Sequence, residues 1–343
     1  MKHLSISIRD VAKHSGVSIG TVSRAFNGYE DIRTETRDRI FASAEILGYI
    51  PNVSARNLSS KRPPNVALVI SGLLEGNPKD NMVYLMLQGI FSYALSNGLE
   101  VAVYATDSAE QRCKSYAQFC KEHSISGAIL SGVTTDDAYF IELLDSSIPC
   151  VAIDVPLQSD SHGWVSIDNV FAAEEITNHL FQSGHENIVI VSGKENAAVN
   201  MERMSGISKA YTHAGYKLSP AKVLFANFNE DQAYNHVKKY LENTPKKDLC
   251  TAFLCLSDIM ALGVIAAIKD TGFRVPEDFS VTGFDGLSIT EYTSPAVSTV
   301  VQDIRNIGLE AICMLHKIMQ GEKGTHKIVP HRLALRNSIQ MLS

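Results

Sequence analysis

The chain has 343 residues, of which 45% are hydrophobic and 20% charged, enough for a large packed core and unlike collagenous, disordered or mini-protein chains. This length predicts two domains with room for a small appendage. No apolar run reaches the roughly 18–20 residues of a membrane helix, and Met1-Lys2-His3-Leu4-Ser5 shows no apolar export signal, so we expect a cytoplasmic protein.

The net charge of −6 is unevenly distributed, since residues 1–62 carry +4 and the remainder carries −10. A basic N-terminal segment on an acidic body indicates that the first sixty residues meet a polyanion. The six cysteines are scattered without a C-x-x-C pair, which is typical of reduced core thiols.

The N-terminal residues 1–50 contain three short helical patterns. Gly16 permits a tight turn between the first two, Ser18 is expected to cap the second helix and Thr34 the third, and Gly48 ends the third helix. Two short helices joined by a glycine-containing turn and supported by a third predict a small all-α helix-turn-helix headpiece.

Residues 51–62 separate this headpiece from the rest of the chain. Pro51 is suited to the first turn of a short helix, and Pro63-Pro64 ends any helix. The segment has too few apolar residues to hold a helix alone, so we expect a hinge helix and linker that becomes ordered only against another surface.

From Asn65 onward, short apolar runs alternate with amphipathic helical stretches, a pattern typical of parallel sheets covered on both faces. About 280 residues are too many for one such sheet, so we expect two α/β lobes with a ligand between them, at the carboxyl ends of the strands. The predicted strands are Val66–Ile70, Val101–Tyr104, Gly127–Leu130, Cys150–Ile153, Ile188–Val191, Ala252–Cys255 and Ser280–Phe284. The predicted helices span residues 82–97, 109–123, 171–183, 202–214, 230–242 and 258–271.

A series of ordered motifs runs through nearly the whole chain. They are Ile8-Arg9-Asp10-Val11-Ala12, Thr21-Val22-Ser23-Arg24, Leu47-Gly48-Tyr49-Ile50-Pro51-Asn52, Asp168-Asn169, Arg203-x-x-Gly206, Ser257-Asp258-x-x-Ala261, Val275-Pro276-Glu277-Asp278, Gly283-Phe284-Asp285 and Arg336-x-Ser338. With these motifs the chain closely resembles the lactose/galactose repressor (LacI/GalR) family.

This resemblance implies a headpiece, a hinge helix and a two-lobed α/β periplasmic-binding-protein-like core that dimerises and binds a small effector. The core is expected over residues 63–343. Its first lobe takes residues of about 65–163 and 303–330, and its second lobe takes residues of about 164–302 and 331–343.

The second helix of a helix-turn-helix enters the major groove of DNA. Ile19 and Gly20 face the base edges there, and Arg24 can pair bidentately with guanine. The family positions of phosphate contacts are occupied by Ser18, Thr21, Ser23, Asn27 and Thr36. Simple helix capping by Ser18 and Thr34 is an alternative that is compatible with phosphate binding.

In the hinge, Leu58 matches the family's minor-groove wedge, and Ala55 and Asn52 match its neighbours. An apolar side chain pushed between base steps unstacks them and kinks the duplex. The alternative is that Leu58 is an ordinary linker leucine.

For the effector, the motif positions point to carboxylates that accept paired hydroxyls, an arginine that donates, and an aromatic ring that stacks on a sugar face. The candidates are Asp154, Arg203, Phe228, Ser257 and Asp285. Ser257 stands where asparagine is common in the motif, and Met82-Val83-Tyr84 replaces the usual aromatic pair at the pocket edge, which indicates altered specificity. As alternatives, Asp285 caps a helix and Arg203 forms a surface ion pair.

We therefore expect a non-enzymatic, DNA-binding transcription repressor whose operator affinity is controlled by a small-molecule effector, a sugar or sugar derivative. The expected partners are a near-palindromic double-stranded operator and a second copy of the chain, with no membrane partner. The chain ends soon after Ser338 with no leucine-heptad tail, so we expect a dimer rather than a tetramer.

No catalytic residues, cofactor or metal are expected, because the sequence has no G-x-G-x-x-G after the first strand, no P-loop and no H-E-x-x-H. A purely ligand-binding protein with a vestigial N-terminus and a cytosolic sugar-modifying enzyme are the competing hypotheses.

Overall fold

The computed structural model describes residues 6–26, 29, 31–49, 65–75 and 79–342. The chain divides into two compact units, residues 1–63 and 64–343. The hinge segment 51–62 lies outside the described residues, as do the predicted DNA contacts Asn27, Asn52, Ala55 and Leu58.

The N-terminal unit contains helices α1 (Ile8–Ser15), α2 (Ile19–Phe26) and α3 (Thr34–Leu47). Gly16 ends α1 with a φ of 68°, a conformation that glycine adopts without a steric penalty. The inner faces of the helices form a small apolar core of Val11, Ala12, Val22, Ala25, Ile40 and Ala44. The predicted helix-turn-helix unit is confirmed.

The start of α3 differs from the prediction. Thr34 is the first residue of the helix rather than its cap, and Arg33 occupies the cap position without a side-chain hydrogen bond. The Arg33 carbonyl accepts hydrogen bonds from the N–H groups of Thr36 and Arg37. The expected Thr34 cap was wrong because the helical hydrogen-bond ladder begins one residue earlier.

The second unit contains twelve strands in its described residues. They are β1 (Asn65–Ser71), β2 (Glu100–Thr106), β3 (Gly127–Ser131), β4 (Cys150–Ile153), β5 (His162–Ser166), β6 (Ile188–Ser192), β7 (Val223–Phe225), β8 (Ala252–Cys255), β9 (Ser280–Asp285), β10 (Ser298–Gln302), β11 (His326–Ile328) and β12 (His331–Ala334).

Helices connect most of these strands. They are α4 (Met82–Ser96), α5 (Ser108–Cys113), α6 (Tyr116–Glu122), α7 (Ala138–Leu143), α8 (Asn169–Gln182), α9 (Ala198–His213), α10 (Glu230–Asn243), α11 (Asp258–Asp270) and α12 (Ile304–Met319). The helix predicted over 109–123 is two helices, because Ser115 starts α6 by accepting the Gln118 N–H at 3.1 Å.

The strands form two six-stranded sheets, ordered β11-β5-β4-β3-β1-β2 and β12-β10-β9-β8-β6-β7. All described pairings are parallel except β12 with β10, which is antiparallel. Each sheet is the centre of one lobe, and the chain passes between the lobes after β5, after β10 and after β11. The predicted two-lobed parallel α/β core is confirmed.

The boundary of the first lobe differs slightly from the expected one. The whole of β5 pairs with β4 and β11, so the first sheet reaches Ser166, past the expected limit near residue 163. The strand carries the polar sequence His162-Gly163-Trp164-Val165-Ser166, which lacks the apolar run that marks the predicted strands.

Close packing between α4 and α12 holds the two separate chain segments of the first lobe together. A Cβ on Gly89 would collide with the backbone oxygen of Arg305, and one on Gly308 would collide with the backbone oxygen of Met86. The two glycines therefore allow these helices to approach backbone to backbone, which ties residues 304–319 to the lobe built mainly from residues 65–166. No helix in the described ranges is long and apolar enough to cross a membrane.

Candidate functional site

The start of α2 presents the predicted DNA-contacting residues. The Ser18 hydroxyl accepts the Thr21 N–H at 3.1 Å and shares a 2.8 Å hydrogen bond with the Thr21 hydroxyl, so the predicted Ser18 cap is present. Ile19 is 45% exposed, and Gly20 is exposed beside it. Val22 and Ala25 face the core, which leaves Ile19, Gly20 and Arg24 on the outer side of the helix.

Arg24 has a partner within the headpiece. Its guanidinium forms an ion pair with Asp31 and lies 5.6 Å from the centre of the Tyr29 ring. Its side chain remains 53% exposed. Asp31 therefore competes with any base or phosphate for the guanidinium, a relationship that the sequence motifs did not indicate.

Two further predicted phosphate contacts lie among the described residues. Ser23 is half-buried on α2, and Thr36 is half-buried in the first turn of α3. Arg37, the residue after Thr36, donates a 2.6 Å hydrogen bond to the Tyr29 carbonyl and so ties α3 to the segment after α2.

A cavity of about 440 Å³ lies between the two lobes, and the five predicted effector residues, Asp154, Arg203, Phe228, Ser257 and Asp285, all line it. Many lining residues stand at the carboxyl ends of parallel strands, as do Ser71, Ser131 and Asp285, the last residues of β1, β3 and β9. This is the edge at which open α/β sheets bind ligands.

Arg203 on α9 is the buried basic group of the cavity, with only 3% of the residue exposed. Its Nε donates to Asn169 Oδ1 at 2.9 Å, and its Nη1 donates to the Leu256 carbonyl at 2.6 Å. The guanidinium carbon lies 3.7 Å from the centre of the Phe284 ring. Burial lowers the pKa of Arg203, and the nearby carboxylates oppose this. The alternative of a surface ion pair is excluded because the side chain is buried.

Asp285 ends β9 and is buried next to Arg203. Its Oδ1 lies 3.5 Å from Arg203 Nη1 and accepts the Gln302 side-chain N–H at 2.9 Å. Burial raises its pKa well above the ordinary value, the Arg203 charge acts in the opposite direction, and Asp258 and Asp80 raise it further. Its backbone φ of 120° is a strained conformation for a residue with a side chain.

Asp285 does not cap a helix, because the hydrogen bond that its carboxylate accepts comes from the Gln302 side chain rather than from a backbone N–H. The backbone after β9 is instead bound by another carboxylate. Asp258 Oδ2 accepts the Leu287 N–H at 2.7 Å, and its Oδ1 accepts the Thr299 hydroxyl at 2.6 Å. Burial raises the pKa of Asp258 to about 7. The sequence motif contains this residue, but its role as a buried connector between β9 and β10 depends on the tertiary structure.

Asp154 follows β4 with a φ of 64° and accepts the Ser166 hydroxyl at 2.6 Å. Burial raises its pKa, with the Ser166 hydrogen bond and the Arg203 charge opposing. Ser257 caps α11, since its hydroxyl accepts the Met260 N–H at 3.2 Å. Ser257 also lines the cavity, but one lone pair of its hydroxyl already accepts the Met260 N–H.

The Phe228 ring packs directly over Gly193 at the end of β6. A Cβ at Gly193 would collide with the ring. Phe228 has a φ of 58°, and the preceding Asn227 has a φ of 53°, so both residues hold the left-handed conformation. This turn places the aromatic side chain at the cavity wall, while Gly193, next to Lys194, leaves room for it.

The sequence did not indicate two charged residues that line the cavity. Asp80 precedes α4 in the first lobe and accepts the Met82 N–H at 2.8 Å. Lys194 lies after β6 in the second lobe and is exposed. Both lie in loops without a recognisable motif, so no local signal identified them.

Comparison with protein-family models matches residues 7–52 to bacterial regulatory proteins of the lacI family and residues 177–339 to a periplasmic binding protein-like domain. Catabolite control protein A of Priestia megaterium is 30% identical over 339 residues, which is 98% of this chain and 99% of that protein.

Solved structures with the same fold cover almost the whole chain. The Lac repressor dimer bound to operator and the anti-inducer ONPF has a TM-score of 0.82 and 25% identity, covering 98% of this chain and 99% of that one. A complex of the transcriptional regulator CelR with cellobiose has a TM-score of 0.73 and 24% identity, covering 97% and 99%. With its helix-turn-helix headpiece and two-lobed core, the chain belongs to the lacI family of bacterial regulatory proteins and is a DNA-binding transcriptional regulator.

Proposed function

We propose that the protein is a repressor whose operator affinity is controlled by a carbohydrate bound in the interlobe cavity. The observation that carries this proposal is the convergence of Asp154, Arg203, Phe228 and Asp285 on one cavity of about 440 Å³. Paired carboxylates, a buried guanidinium and an aromatic wall match the hydroxyl groups and apolar face of a sugar. The CelR–cellobiose complex, which shares the fold, supports the same ligand class.

On DNA, α2 enters the major groove, where Ile19 and Gly20 meet base edges and Arg24 reads guanine. The exposure of Ile19 and Gly20 supports this assignment. The phosphate contacts fall to Ser18, Thr21, Ser23, Asn27 and Thr36. In the hinge, Leu58 is the minor-groove wedge, flanked by Asn52 and Ala55.

The functional unit is a homodimer on a near-palindromic operator. One headpiece reads only a few base pairs, and two headpieces related by a twofold axis read matching half-sites. The Lac repressor, which is similar over the whole chain, is a dimer on its operator.

The effector acts by binding one arrangement of the lobes more tightly than the other. Residues of both lobes line the cavity, so a ligand that contacts Asp154 and Asp285 together alters the relative orientation of the lobes and the spacing of the two hinges. It changes operator affinity only by its differential affinity for the two arrangements. No reaction at the cavity is part of this proposal.

The test combines a ligand screen with a DNA-binding measurement. An operator is selected from random duplexes, and its affinity is measured by fluorescence anisotropy with and without each sugar that raises the melting temperature of the protein. We expect at least one sugar to change the operator affinity of the natural protein, and Asp285→Ala to abolish this response while the protein still binds the operator. If no sugar changes operator affinity, or if Asp285→Ala responds with an unchanged midpoint, the proposal is wrong.

A further inference from the structure

Three carboxylates line the interlobe cavity, Asp80 and Asp154 from the first lobe and Asp285 from the second. Each accepts one hydrogen bond through its Oδ1 atom: from the Met82 N–H at 2.8 Å, from the Ser166 hydroxyl at 2.6 Å and from the Gln302 side-chain N–H at 2.9 Å. Among the described residues, none donates a hydrogen bond to the Oδ2 atom of these carboxylates. Three acceptor oxygens are therefore available to a ligand.

Two positive groups near these carboxylates, Arg203 and Lys79, have protein partners, and a third, Lys194, is exposed where it lines the cavity. Arg203 is bound to Asn169 and to the Leu256 carbonyl, and it is surrounded by four acidic residues that stabilise its charge: Asp285, Asp154, Asp258 and Glu202. Lys79, the residue before Asp80, donates a 2.5 Å hydrogen bond to Glu230 across the cleft. The cavity is thus lined by three carboxyl groups, Asp80, Asp154 and Asp285, and by two cations, Arg203 and Lys194.

This excess of carboxyl groups over cations is electrostatically unfavourable when no ligand cation is bound. Burial is the main cause that raises the pKa values of Asp80, Asp154 and Asp285, and the Asp80 charge adds to the increase at Asp285. Carboxylates that share a site in a medium of low dielectric constant favour protonation of one member. A bound cation removes that cost, whereas a bound anion increases it.

We propose that the effector carries a protonated amine beside its hydroxyl groups, and that this amine binds between Asp80 of the first lobe and Asp285 of the second. The class is an amino sugar or an equivalent aminated polyol, which should bind more tightly than phosphorylated and acidic sugars. This inference rests on the proposed function, because it concerns the ligand of the same cavity. An ammonium group between acids of opposite lobes also holds the lobes together.

The test uses matched triplets of ligands on the full-length protein. Glucose, glucosamine and glucose 6-phosphate form one triplet, with the galactose and mannose series as the others, and spermidine serves as an amine without hydroxyls. Binding is measured by thermal shift and titration calorimetry. We expect the amine-bearing member of at least one triplet to bind most tightly.

The pH dependence gives a second readout. Since the amine requires ionised carboxylates, its affinity should increase as the pH rises through the range in which these carboxyl groups lose their protons, by at most about tenfold per pH unit for each proton displaced. A neutral sugar that binds through hydroxyls should show a smaller dependence over the same range.

The decisive variant is Asp80→Asn, which removes the charge and keeps the shape. It should weaken binding of the amine roughly 10- to 100-fold, which is the usual contribution of a hydrogen bond to a charged group. It should also reduce the difference in affinity between the amine-bearing and the neutral member of the triplet. Asp145→Asn is the matched control in the first lobe, because Asp145 is exposed and does not line the cavity. It should leave binding unchanged.

The outcomes separate this inference from the proposed function. If a neutral or phosphorylated sugar binds as tightly as its amine counterpart, the amine proposal is wrong and the carbohydrate effector stands. If spermidine alone binds and Asp80→Asn suppresses it, the amine stands and the carbohydrate is wrong. If no probe binds, both proposals are overturned.

Discussion

Asp285 Oδ1 lies 3.5 Å from Arg203 Nη1, and the two side chains are only 8% and 4% exposed. The acid ends β9 and the arginine lies in α9, so this buried pair joins a strand end to a helix on the wall of the cavity. Removing one partner of such a pair costs far more than the pair itself contributes, because the other charge remains buried. The pair therefore holds a carboxylate and a guanidinium in fixed positions on the cavity wall, where a ligand can contact them.

Arg203→Met should lower the free energy of unfolding by about 3–5 kcal/mol, since Asp285 loses its ion-pair partner and the Leu256 carbonyl loses its donor. Urea denaturation followed by circular dichroism measures the change. Arg332→Met, at an exposed position of the same lobe, is the control and should change stability by less than about 0.5 kcal/mol. Equal stability of the two variants would show that the buried pair does not stabilise the core.

Asp258 should make the stability of the core depend on pH. Its folded pKa of about 7 lies above the ordinary carboxyl value, so the folded state holds the proton more tightly. The contribution is present at low pH and is lost as the pH rises towards 7, by at most about 1.4 kcal/mol per pH unit.

Urea midpoints measured between pH 5 and 8 check this prediction against Asp258→Asn. The natural protein should lose more stability with rising pH than the variant, because asparagine does not titrate. Parallel pH profiles for the two proteins would mean that Asp258 does not carry the proton. A difference in urea midpoint that is the same at every pH would reflect only the changed hydrogen bonds to Leu287 and Thr299.

Asp31 should restrain Arg24 on DNA. The ion pair between them must open before the guanidinium reaches a base edge. Arg24→Ala should cost about 1–3 kcal/mol of specific operator binding and relax preference at one base position, while non-specific affinity changes little.

Asp31→Asn should have the opposite effect and strengthen binding, because the competing carboxylate is lost. Anisotropy titrations on the selected operator and on a scrambled duplex, at two salt concentrations, measure both effects. Uniform weakening of Arg24→Ala on every sequence would instead identify Arg24 as a phosphate contact, and weaker binding by Asp31→Asn would show that the ion pair positions the arginine.

Leu58→Ala should abolish the kink in the operator and reduce specific affinity, because the wedge is removed. Effector binding should persist, since the cavity lies in residues 64–343. Gel mobility of circularly permuted operator fragments measures the bend, and calorimetry measures the effector. Normal bending by Leu58→Ala would refute the wedge assignment.

The seven strands expected from their apolar runs are all present, because an unbroken run such as Val66–Ile70 has few alternatives to a buried position in a parallel sheet. The strands that the sequence did not reveal are short or polar. The edge strand β11 has three exposed residues, and β12 has none that are buried. Their conformation depends on the neighbouring strand rather than on their own composition.

By itself, the sequence determined the headpiece, the alternation of strands and helices, the family and the five candidate residues of the cavity, because these depend on local propensity, periodicity and motif. Only the tertiary structure decided that β5 belongs to the first lobe, that Asp80 joins the cavity, that Arg24 meets Asp31 and that burial raises the pKa of Asp258 to about 7. Register, burial and pKa arise from contacts between segments distant in the chain, and no local pattern of residues encodes those contacts.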